Sequence, residues 1–95
     1  MLLSHYVQPT FSSQEDFERN FRINTPEHFN FAYDIVDEWA RTDPGKVAMV
    51  WCDENGAERT FTFADMKRFS DKTASYFASL GIGRGDFVTL VLKRR

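Results

Sequence analysis

The sequence predicts an α/β fold, and three observations carry that expectation. Two stretches repeat apolar residues at helical spacing, two β-rich runs are joined by Asn55-Gly56, and Phe87 to Leu92 is an almost unbroken apolar run. A run of that kind suits a strand covered on both faces, as in a parallel sheet flanked by helices. The expected order is therefore short helices, a β-hairpin, a long helix and the first strand of a larger sheet. The chain reads as one amino-terminal segment over 1–95, with an extended arm at 1–12 and the ordered elements at 13–95.

The elements follow from local signals. Pro9 and the lack of periodicity make the arm extended. Ser12 and Ser13 each precede an acid by three residues, and Phe17 and Phe21 recur four apart, so a short helix is expected over Ser13 to Phe21. Beyond Pro26, Asn30 caps a second helix, with Ala32, Ile35, Val36, Trp39 and Ala40 as one apolar face. Asp34, Asp37, Glu38 and Arg41 form its polar face, where Asp37 and Arg41 have the favourable i,i+4 order. Val47 to Cys52 and Arg59 to Phe63 read as hairpin strands, with Asn55-Gly56 supplying positive φ in the loop. Thr62 and Asp65 cap a third helix, Met66, Phe69, Thr73, Phe77 and Leu80 make its stripe, and Gly81 sits at a left-handed C-cap.

Composition narrows the function. The chain is 42% hydrophobic with ten phenylalanines, so it is expected to bury a core, and this aromatic excess calls for a further covering layer. A net charge of −2 lacks the positive field that nucleic acid or an anionic membrane requires. The lone Cys52 cannot close an internal disulfide, and the start has neither a basic nor an apolar leader region. A cytoplasmic location is the expectation from these two features.

No residue constellation reads as catalytic, cofactor-binding or metal-binding. Gly81-Ile82-Gly83-Arg84-Gly85 follows a helix, whereas a phosphate cradle precedes one, so cap and turn are favoured over nucleotide binding. Asp34, Asp37 and Glu38 read as a solvated face beside Arg41 rather than paired acid and base. His5 and His28 have no partner at ligand spacing. Cys52 reads as an inert buried thiol, and Lys93-Arg94-Arg95 as the opening of a further helix rather than a phosphate site. A stand-alone interaction module is the alternative that residue chemistry leaves open.

Phe61-Thr62-Phe63-Ala64-Asp65-Met66 resembles the first core motif of the AMP-forming adenylating enzymes. Leu80-Gly81-Ile82-Gly83-Arg84-Gly85-Asp86-Phe87-Val88 is similar to the Gly-apolar-x-x-Gly-Asp-x-Val stretch that follows it, and Pro44-Gly45-Lys46-Val47-Ala48 resembles the run before the hairpin. Phe29 to Asp37 looks most like the acetyl-CoA and medium-chain acyl-CoA synthetase branch. The resemblance covers Asp16 to Arg95. It implies an amino-terminal fragment of a ligase that activates a short- or medium-chain carboxylic acid with ATP and Mg2+ and then transfers it to coenzyme A. It places the active-site residues downstream, so it assigns no site residue and no cofactor to this chain. It makes the rest of the catalytic domain the main partner, with neither nucleic acid nor membrane, and admits a homo-oligomer in which the arm lies across a neighbouring subunit.

Overall fold

In the computed structural model, which describes residues 2–93, the elements in order are a 3-10 turn Leu2–His5, helix α1 (Gln14–Asn20), a π-helical stretch Ala32–Asp37 running into α2 (Glu38–Thr42), strands β1 (Val47–Cys52) and β2 (Glu58–Thr62), and helix α3 (Phe63–Ser79). The predicted mixture of helix and strand is present. The chain divides into two units, one up to Ile35 and one from Val36 onward.

In the first unit, α1 starts where its caps predict. The Ser13 hydroxyl accepts from the Asp16 N–H at 3.1 Å, while the Asp16 carboxylate accepts from the Ser12 N–H at 2.9 Å and the Ser12 hydroxyl at 3.0 Å. The two expected capping boxes are thus merged into one, with Asp16 serving Ser12. Phe17 and Phe21 lie 4.9 Å apart between ring centroids, and Phe11 packs edge-on against Phe17 at 5.2 Å. The arm is not wholly extended. Tyr6 and Val7 both donate to the Leu3 carbonyl at 3.0 Å, closing a turn before Pro9 can act.

The second helix also departs from expectation. Asn30 caps it through its side-chain oxygen, which accepts from the N–H groups of Ala32 and Tyr33 at 3.0 and 3.3 Å. Its first part is nevertheless π-helical rather than α-helical. The wider turn changes the angle between successive residues, yet Ile35, Val36, Trp39 and Ala40 of the predicted stripe are all half-covered. Ala32 is exposed, and Asp34, Asp37 and Glu38, expected on a solvated face, are half-covered.

In the second unit, β1 and β2 pair antiparallel from Cys52 opposite Glu58 to Val47 opposite Thr62, with a bulge that leaves Ala48 unmatched. The loop is longer than a two-residue turn. Gly56 donates to Asp53 at 3.2 Å and Asp53 donates to Ala57 at 3.0 Å, so three residues close the hairpin. Only Gly56, at φ 82°, takes positive φ, and Asn55 does not. Helix α3 packs against α2 and against the hairpin. Trp39 stacks on Phe63 at 5.8 Å, and Phe61 meets Phe69 at 6.2 Å.

Two expectations fail here. No described residue is fully buried, so the helices and hairpin build no closed core. Phe87 to Leu92 belongs to neither helix nor strand, and among the described residues no backbone hydrogen bond reaches it. A strand exists through its ladder, and the two-stranded sheet does not extend to this run. Phe87, Val91 and Leu92 remain 101%, 91% and 81% exposed.

Candidate functional site

Two places hold the ingredients of an anion site, the start of α3 and the glycine turn after it. A helix start offers four N–H groups without intrahelical partners. At α3 all four are taken. Thr62 N–H donates to the Asp65 carboxylate at 3.0 Å, and Asp65 N–H donates to the Thr62 hydroxyl at 3.2 Å, completing the predicted capping box. Phe63 N–H donates to the Lys46 carbonyl at 3.0 Å and Ala64 N–H to the Pro44 carbonyl at 3.2 Å. The pairing that continues past the end of the hairpin therefore closes the helix terminus against any phosphate. The Thr62 N–H and then the Arg68 guanidinium, 3.1 Å from the carboxylate, hold the Asp65 carboxyl below the usual aspartate range.

The glycine turn is closed in the same way. Gly81 N–H donates to the Ala78 carbonyl at 3.0 Å and Ile82 N–H to the Phe77 carbonyl at 3.1 Å, the two bonds of a Schellman cap. Phe77 and Ile82 are both half-covered, as the hydrophobic contact of that cap requires. Gly83 N–H is engaged by the Asp86 carboxylate at 2.7 Å, and Asp86 N–H returns to the Gly83 carbonyl at 3.1 Å. Gly81 and Gly85 take φ of 79° and 91° because cap and turn demand it. The N–H groups at the start of α3 and those of Gly81, Ile82, Gly83 and Asp86 are thus engaged within the fold.

A third place lies between α2 and α3, a groove of about 560 Å³ bordered by Ala40, Ala64, Lys67, Arg68, Asp71 and Lys72. Lys67 reaches the Asp71 carboxylate at 2.8 Å and that of Asp37 at 3.7 Å. The hydrogen bond to Asp71, aided by the charge of Asp37, pushes the Lys67 ammonium up from the usual lysine range. Asp37 thus faces α3, and Arg41 pairs with Glu38 at 2.9 Å instead of with Asp37. The other oxygen of Asp37, Oδ1, is buried and accepts no hydrogen bond among the described residues. Reading the sequence alone missed this cluster, because the Lys67 partner lies thirty positions away and no local spacing signals it.

The remaining candidates stay apart. His28 is exposed, His5 lies beside the Tyr6 ring at 6.4 Å, and among the described residues no three His, Cys, Asp or Glu gather as metal ligands. Cys52 is exposed rather than buried as expected, because it occupies the last rung beside the hairpin loop, where no layer covers it. Lys93 is exposed, whereas Arg94 and Arg95 lie outside the described residues. No described helix is long and apolar enough to cross a membrane.

Comparison with known proteins adds what geometry does not. Residues 36–95 match the family model described as AMP-binding enzyme, a span that begins where the second unit begins. The chain is 34% identical over 90 residues to the human acyl-coenzyme A synthetase ACSM3, mitochondrial, covering 88% of this chain and 15% of that protein. It is 32% identical to the rat acyl-coenzyme A synthetase ACSM2, mitochondrial, covering 90% of this chain and 18% of that protein. With the human acyl-coenzyme A synthetase ACSM5, mitochondrial, it shares 36% identity, covering 73% of this chain and 13% of that protein. The chain therefore spans less than a fifth of the length of these curated relatives. Their names also overturn the cytoplasmic expectation, since each places its protein in mitochondria. A single cysteine has no second cysteine to bridge and so does not separate one compartment from another.

Proposed function

Because the chain belongs to the AMP-binding enzyme family, we propose that it is the scaffold portion of an acyl-CoA synthetase. That enzyme activates a short- or medium-chain carboxylic acid with ATP and Mg2+ as an acyl adenylate, then transfers the acyl group to coenzyme A. Residues 1–95 form one segment of a larger AMP-binding domain, and the location is mitochondrial. The family match over residues 36–95 carries this reading.

The closed helix terminus supports the scaffold role. Catalysis of adenylate formation rests on positioned donors for the phosphates, and here the donors of α3 and of the glycine turn serve the fold. The ligand-binding groups then belong to the rest of the domain. Two measurements test this. Calorimetry of the 95-residue chain with ATP and Mg2+, and with coenzyme A, is expected to give no binding heat; micromolar ATP binding contradicts the scaffold role. Expression from the complete coding sequence is expected to yield pyrophosphate and acyl-CoA from octanoate or butyrate, and a full-length protein without that activity contradicts the ligase reading.

A further inference from the structure

We draw no further inference here: the strongest candidate, the groove between α2 and α3 bordered by Lys67, Arg68, Asp71 and Lys72, where Lys67 also reaches Asp37, carries nothing because its charged groups pair within the fold or stand at an open surface and nothing in the structure shows what covers it.

Discussion

The stretch from Pro44 to Asp65 and the run from Phe87 to Leu92 lie in the same unit, yet they sit at opposite ends of hydrogen-bond satisfaction. In the first, every donor at the start of α3 has a partner, drawn from the Thr62 and Asp65 side chains and from the carbonyls of Pro44 and Lys46. In the second, no backbone group is bonded among the described residues, and large apolar side chains stand in the open. The difference separates elements that sequence neighbours can complete from elements that need distant ones. Hairpin and helix close on each other within about twenty positions, whereas the run from Phe87 to Leu92 has no strand beside it among the described residues.

The largest effect is expected at Trp39, which joins α2 to α3 by stacking on Phe63 and receives the Lys46 ammonium at 4.8 Å over its ring. Trp39→Ala is expected to cost about 2 kcal/mol, a reduced value because the side chain is only half-covered; urea unfolding followed by circular dichroism measures it. Thr62→Ala is expected to cost about 1 kcal/mol through the lost cap, read in the same assay. If it costs nothing, the closed terminus contributes no stability. Gly81→Ala is expected to cost about 1 kcal/mol at φ 79°. Gly45→Ala is the control, because a Cβ there meets nothing within 4 Å and it is expected to be neutral.

The smallest effect is on pH. Asp65 is depressed in the folded chain, chiefly by the Thr62 N–H. Its contribution is therefore complete above the unfolded aspartate value, roughly 3.9, and fades as pH falls through the lower folded value. Asp65→Asn is expected to flatten that acid-side loss of helical signal. An unchanged acid profile in the variant would place the titration elsewhere.

The sequence showed what short range decides. Ser13, Asn30 and Thr62 cap where their spacing predicts, and Gly81 ends α3 as a left-handed cap because the needed φ is local. It did not show what depends on distant partners. The i,i+4 pairing of Asp37 with Arg41 was reasonable on an isolated helix, but Lys67 of α3 draws Asp37 away and leaves Arg41 to Glu38. The π-helical start escaped a pattern that assumes 3.6 residues per turn. Cys52 looked buried because an apolar run implies cover, yet the hairpin has too little packed over it. The cap and turn at Gly81 were legible from element order alone, whereas the Pro44 and Lys46 carbonyls over the start of α3 were not.

Amide hydrogen exchange, resolved residue by residue, tests this contrast most directly. The amides of Thr62, Phe63, Ala64 and Asp65 are expected to be protected while those of Phe87 to Leu92 exchange freely. Unprotected amides at the start of α3, or protected amides across Phe87 to Leu92, would contradict the account.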